Sequence, residues 1–314
     1  MSVQENLEKN FISAVVYAHN EEGRIADFLV MLKNELEKHF WHYEIIVVND
    51  DSADGTVDEI RKVATEFDNS VVSILKMSYY QGLELSMNAG KKLAIGDYVY
   101  EFDYIEDNFN PELIFEIYKH ALKGYDIVSA VPQGKRRISS KLFYKVFNHF
   151  SNVQYKLDTE NFRILSRRAI NRIDSSCTTI PYRKAIYANC GLKYDKILYS
   201  TIEKKHRKEN GDSKYRERVA VESLILHTNV AYKVSSALTF FMMAVTLFAL
   251  IYTIVVFLTG HPVAGWTTMM LVLSFGFLGM FAIMSIVIRY LSIILDLNYS
   301  KQRAVFESIE KISK

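Results

Sequence analysis

Two cysteines in 314 residues, Cys177 and Cys190, carry no paired spacing. That excludes a disulfide or zinc framework and leaves reduced thiols in a cytosolic domain as the simpler reading. A formal net charge of only +2 lacks the electrostatic footprint of a bulk nucleic-acid binder. The opening residues, MSVQENLEKN, have no apolar stretch of the signal-peptide kind. Repeats and low-complexity tracts are absent. The most informative absence is charge in the last third. Val234 to Thr259 (26 residues) and Ala264 to Ile288 (25 residues) contain no Asp, Glu, Lys or Arg.

A bilayer core needs roughly 20 helical residues to cross. Only Gly260-His261-Pro262-Val263 separates the two runs, room for a tight turn. The pair therefore reads as a transmembrane hairpin, because neither run has the polar stripe of a soluble core helix. It holds a globular domain of about 230 residues against one membrane face. Lys214, Arg216, Arg218 and Lys233 precede the first run; Arg289, Lys301 and Arg303 follow the second; the turn has no Lys or Arg. Positive flanks stay cytoplasmic, so the domain and both termini are expected there, at the cytoplasmic (inner) membrane.

Before the runs, strands alternate with helices. Phe11–Ala18, Tyr43–Val48, Val71–Met77, Asp97–Phe102 and Tyr125–Val131 read as strands. Arg24–His39, Val57–Phe67, Gln81–Ile95 and Glu112–Lys123 read as helices, the last opened by Pro111. This is an α/β pattern: an open, mainly parallel sheet with helices on both faces. Ligands of such sheets sit beyond the carboxyl ends of the strands. The polar loops at Asn20, Asn49–Asp54 and Asp103–Asp107 all fall there. Around 135–155, Phe143, Phe147 and Phe150 repeat at helical spacing among Lys135, Arg136, Arg137, Lys141 and Lys145. That suits a helix lying in a membrane interface. Residues 214–233 read as a second, juxtamembrane amphipathic helix.

Five stretches in order carry a resemblance. They are Asn20-Glu21-Glu22; Val47-Val48-Asn49-Asp50-Asp51-Ser52-Ala53-Asp54-Gly55-Thr56; Gly82, Asn88 and Gly90 before Gly96-Asp97-Tyr98; Phe162-Arg163-Ile164-Leu165-Ser166-Arg167-Arg168; and Gly211-Asp212-Ser213-Lys214-Tyr215. With the hairpin, the chain resembles family 2 glycosyltransferases of the GT-A (Rossmann-like) fold. It is similar to the membrane-anchored polyprenyl-phosphate type, such as GtrB-type bactoprenol glucosyltransferases and dolichyl-phosphate mannose synthases. The implied layout is a GT-A domain over 1–213, the juxtamembrane helix at 214–233, spans at 234–259 and 264–288, and a cytoplasmic C-terminal helix over 289–314.

The resemblance implies transfer of a sugar from a nucleotide-sugar, a UDP-hexose, to polyprenyl phosphate, with inversion. Extension of a lipid-linked capsule or O-antigen glycan, or a catalytically silent nucleotide-sugar-binding scaffold, are the alternatives. Glu21 and Asp50 are expected to contact the nucleoside, since other acids of the loop can cap the following helix. Asp103 is expected to hold Mg²⁺ or Mn²⁺ on the diphosphate, and Arg163, Arg183 and Lys214 the acceptor phosphate. A homo-oligomer is implied, with Gly276 and Gly279 permitting close helix packing.

Three positions depart from the family pattern. Ile105 stands where the metal motif Asp-x-Asp has its second carboxylate, and isoleucine offers a hard cation no oxygen. Either Asp103 suffices alone, or Glu106 or Asp107 joins it. Asn161 stands where related enzymes carry an acceptor-side Asp, leaving Asp158 or Glu160 for that role. A phosphate acceptor, with a second pKa of about 6, is ionised near neutrality and needs no strong base. Asp51 replaces a turn Gly, and Asp tolerates the left-handed conformation.

Overall fold

Short apolar strands build the centre of the protein. The computed structural model describes residues 7–67, 71–106, 108–134, 138–150, 154–176, 182–202, 230–260, 263–298 and 306–312. The chain runs β1 (Ile12–Ala18), α1 (Ile25–His39), β2 (Tyr43–Asn49), α2 (Thr56–Glu66), β3 (Val71–Met77), α3 (Leu83–Leu93), β4 (Tyr98–Phe102), α4 (Glu112–Ala121) and β5 (Ile127–Gln133). It continues as α5 (Ile138–Phe150), β6 (Phe162–Ser166), α6 (Arg167–Ser176), α7 (Arg183–Tyr187) and β7 (Tyr194–Ser200), then α8 (Val230–Thr259), α9 (Trp266–Asn298) and β8 (Phe306–Ile312).

The sheet order is β7-β5-β6-β4-β1-β2-β3-β8. β3, β2, β1 and β4 are parallel; β6 runs antiparallel between β4 and β5, and β8 antiparallel to β3. Side chains alternate across a strand, so a sheet covered on both faces needs apolar residues at every position. Ala14 and Val16 of β1 join Ile45 and Val47 of β2 under α1, α2 and α4. Val15, Ile46 and Val48 pack on the other face with α3 and α6. β1 pairs with both β2 and β4, so the winding reverses there. This switch point is where such sheets open a crevice.

The contacts divide the chain into two units, 1–220 with 300–314, and 221–299. In the second, α8 and α9 contain stretches long and apolar enough to cross a membrane, Lys233–Thr259 and Trp266–Leu291, with mean hydropathies of 2.6 and 2.5. Thr239, Thr246 and Thr253, spaced by seven, are buried between them, as is Ser274. Each threonine hydroxyl donates to the carbonyl four residues back, at 2.7–2.8 Å. Small, self-satisfied residues on one face let two apolar helices approach closely.

Several expectations are corrected. The C-terminal segment is not a helix: α9 runs on to Asn298, and 306–312 form β8 on the exposed edge of β3. β8 closes an edge that would otherwise offer unpaired backbone groups. Two members of the aromatic row of α5 pack against the protein itself. Phe147 is fully buried, 6.1 Å between ring centroids from Tyr182, and Phe143 also packs on Tyr182. Lys145 remains exposed; Lys135, Arg136, Arg137 and the side chains of Lys141 and Phe150 lie outside the described residues. So does the juxtamembrane helix before residue 230, and Cys177. Cys190 is a free thiol that donates to the Tyr187 carbonyl.

Gly90 sets the distance between α3 and the sheet. A Cβ there would lie 2.5 Å from Val48 Cγ2 and 2.6 Å from Val15 Cγ1. In a solvent-facing helix Gly→Ala gains about 1 kcal/mol. Here overpacking opposes it with about 1–3 kcal/mol, so Gly90→Ala lowers the thermal midpoint of the protein in detergent. A raised midpoint would refute the tight contact.

Candidate active site

Two loops at the carboxyl edge of the sheet zip together. Asn20, with a positive φ of 56°, accepts the Ala53 amide on its Oδ1 while its own amide donates to Ser52 Oγ. The Glu21 amide donates to Thr56 Oγ1 (2.8 Å) and the Glu22 amide to Asp54 Oδ2 (3.1 Å). Glu22 returns the contact by accepting the Gly55 amide. Asp54 also accepts the Thr56 amide, capping α2. Burial opposes ionisation of Asp54, but the bonds from Thr56 and the Glu22 amide prevail and hold its carboxyl below the usual range. Asp51 sits at φ 56°, the left-handed turn expected of it. The paired motifs are thus a mutual scaffold.

Asp50 is not open to a ligand. It is fully buried at the end of β2 and accepts Tyr17 Oη–H (2.9 Å), the Gln81 amide (2.9 Å) and the Gly82 amide (2.7 Å). Gly82 precedes α3 at φ 85°, so the carboxylate anchors the entry of that helix, where negative charge is favoured. His19 Nδ1 lies 2.5 Å from the Asp50 carbonyl, and its ring stands 4.6 Å from Tyr80.

Glu21 remains at the mouth of these loops. Its carboxylate pairs with Arg24 Nη1 at 3.0 Å. Burial pushes its carboxyl up to about 7; Arg24 opposes the shift, and Asp54 and Glu106 add to it. The other arm of Arg24 donates to the Ile105 carbonyl, tying this loop to the one after β4.

Below that edge lies a closed ionic ring. Glu101 and Asp103 are two residues apart on β4 and its exit, so they share a face. Arg163, on β6, is Glu101's register partner. Arg163 Nη1 donates to Glu101 Oε2 (2.7 Å) and Nη2 to Asp103 Oδ2 (2.5 Å). Arg183, opening α7, repeats the fork: Nη1 to Glu101 Oε2 (2.8 Å), Nη2 to Asp103 Oδ1 (2.7 Å). The two Nε atoms donate to Glu160 and Glu84, both at 2.9 Å. Tyr187 Oη–H completes Glu101, and all four ring residues are fully buried. Burial alone would raise the Asp103 pKa, but Arg163 and Arg183 hold it far below the carboxylate range.

This corrects the expected roles. Arg163 and Arg183 do not face an acceptor phosphate; their forks are saturated by carboxylates. Of the expected metal set, Asp103 and Glu106 have internal partners. Both Asp103 oxygens are engaged, Ile105 packs in the core, and Glu106 accepts Asn108 Nδ2 (2.9 Å). Among the described residues no group of three or more His, Cys, Asp or Glu is placed to hold a metal. Asp107 and Lys214 lie outside the described residues. Asp158 is tied to the Thr159 amide (2.8 Å) and to Lys196 (3.3 Å). Asn161 donates to Tyr199 Oη (2.9 Å) and Asn108 Oδ1 (3.3 Å), which a carboxylate could not do. Sequence reasoning passed over Arg24, Glu84 and Glu101; the signal for Glu101 was a lone acid inside an apolar strand two residues before Asp103.

Two outcomes follow from these charges. Because the folded Glu21 carboxyl titrates near 7 against an ordinary 4.5, its stabilising contribution is complete below pH 4.5 and lost as pH rises through about 7. Glu21→Gln removes that loss, so it stabilises the protein at pH 8, on the order of 1 kcal/mol after screening, and changes little at pH 4.5. Thermal melts at the two pH values decide; equal shifts at both would refute it. Arg163→Met leaves Glu101 and Asp103 half-paired in the interior and costs about 3–5 kcal/mol, read as a large fall in melting temperature.

Comparison with known proteins agrees with this frame. Residues 13–191 match the family described as Glycosyl transferase family 2. An uncharacterized glycosyltransferase of Synechocystis, sll0501, is 28% identical over 195 residues, 60% of this chain and 60% of its own length. The chain therefore spans about three-fifths of that relative. A bactoprenol glucosyl transferase of Shigella phage SfV is 26% identical over 276 residues, 84% of this chain and 87% of its own. Among solved structures, the mannosyltransferase PcManGT from Pyrobaculum calidifontis in complex with GDP-Man and Mn²⁺ superposes with a TM-score of 0.44 at 16% identity, over 89% of this chain and 88% of that one. With more than half of its residues in the family match, the chain belongs to glycosyl transferase family 2.

Proposed function

We propose that the protein transfers a sugar from a nucleotide-sugar, a UDP-hexose, to a polyprenyl phosphate such as undecaprenyl phosphate, at the inner face of the cytoplasmic membrane, with inversion. One observation carries this reading: a family 2 domain is followed in the same chain by two helices able to cross a membrane. An acceptor carried in that membrane explains the pairing. The bactoprenol named for the phage relative is a polyprenol, which supports the same acceptor class.

In this reading an oxygen of the lipid phosphate attacks the anomeric carbon, the bond to the donor diphosphate breaks, and the nucleoside diphosphate leaves. The attacking phosphate is already ionised, its second pKa being about 6. Asn161 in the acceptor-side position fits a step without a strong base. Glu21 and its loop meet the nucleoside, and Asp50 acts by holding residues 81–82 in place. Lys214 is the remaining cation proposed for the acceptor phosphate.

Both ends of the helical pair lead into one sheet, since β8 belongs to the first unit. That connectivity supports an even number of crossings, with the domain and both termini on one side. Assembly into a homo-oligomer through α9 belongs to the proposal; a Cβ at Gly276 or Gly279 would meet nothing within 4 Å.

The second reading is a silent nucleotide-sugar-binding scaffold. It is favoured by the internal engagement of Asp50, Asp103 and Asp158. The full chain in detergent, given a panel of UDP-sugars and undecaprenyl phosphate, is expected to form a sugar-phosphate lipid. UDP binding without product from any donor would overturn the transfer reading in favour of the scaffold, and product only with a lipid already bearing sugar would shift it to glycan extension.

A further inference from the structure

A hard divalent cation needs several oxygen ligands in open, near-octahedral array, and keeps waters when proteins supply few of them. Among the described residues, nothing at Asp103 offers that. Its carboxylate is 0% exposed, and each oxygen already accepts a guanidinium N–H, at 2.5 and 2.7 Å. A cation bound to either oxygen would stand against those fixed positive charges. The neighbouring position is Ile105, 4% exposed, whose carbonyl is held by Arg24. Glu106 is drawn toward Asn108, which Asn161 holds in turn. Among the described residues the loop is fixed at three points, and no group of three or more His, Cys, Asp or Glu is placed to hold a metal.

The pairing points the same way. The buried acids Glu84, Glu101, Asp103 and Glu160 all pair with the two buried guanidiniums of Arg163 and Arg183. Lys91, also buried, pairs with Asp174 instead. Two guanidiniums bring Asp103 a formal charge of +2, the charge a divalent cation would bring, and unlike a metal they are covalently part of the fold. Arginine suits this place because its charge persists at every working pH and its fork binds two carboxylates at once.

We infer that Asp103 is not a metal ligand in this protein: Arg163 and Arg183 stand in place of the divalent cation, and the donor diphosphate binds without one. The second clause rests on the proposed donor reading; the first does not.

The test uses the full chain in detergent micelles and two probes. Mn²⁺ alone is titrated and its free signal followed by electron paramagnetic resonance. UDP affinity is measured by calorimetry with Mn²⁺ and again with EDTA. The expected results are no saturable Mn²⁺ binding and a UDP affinity that agrees within about twofold between conditions. Saturable binding of one Mn²⁺ per chain, or a loss of UDP affinity of about tenfold or more in EDTA, would overturn the inference. Absence of UDP binding in both conditions would defeat the donor reading and leave the Mn²⁺ titration to decide the role of Asp103.

Discussion

The ion pairing of Asp103 with Arg163 and Arg183 is the constraint on which the carboxyl edge of this sheet depends. Desolvating two guanidiniums and their carboxylates is costly, and the cost is offset only when every donor finds a partner. Here the partners come from five places: β4 supplies Glu101 and its exit Asp103, β6 supplies Arg163, the segment before it Glu160, α7 supplies Arg183, and α3 supplies Glu84. A short antiparallel strand and a five-residue helix are thereby locked to a parallel sheet.

Above the ring, polar loops hold one another. The Asn20–Glu22 loop and the Ser52–Thr56 loop exchange backbone and side-chain bonds, and Arg24 reaches across to the Ile105 carbonyl. Asp50 fixes the entry to α3. Short polar segments rarely keep one conformation unaided, because ordering each residue costs about 1–2 kcal/mol of backbone entropy. Their mutual bonds supply the compensation and leave a pre-shaped edge in which Glu21 sits at the mouth.

Much of the architecture was legible in the chain. Five strands, β1 to β5, and the helices between them were visible as apolar runs and helical periodicities, because burial on both faces leaves few polar interruptions. β6 was visible only as a motif around Arg163, and β7 and β8 not at all. A seven-residue strand carrying two glutamates and a lysine, Phe306–Ile312, has no local signature of its own; it is a strand because the β3 edge is there to receive it. The aromatic row of α5 is a different case. Phe143 and Phe147 read equally well as a lipid-facing or a core-facing stripe, and in the fold both rings meet Tyr182, 35 residues beyond Phe147.

By itself the sequence determined that a globular α/β domain precedes two long uncharged apolar runs, and where the loops at the strand ends fall. Those properties follow from local composition and spacing; the family follows from the likeness of ordered motifs to known proteins. Only the tertiary structure decided what the charged residues do. Glu101 meets Arg163 across 62 residues of chain, and Asp103 meets Arg183 across 80. An isolated aspartate near an expected metal motif reads as a ligand until the fold shows which cation reaches it first, and that depends on which distant strand and helix are folded against it.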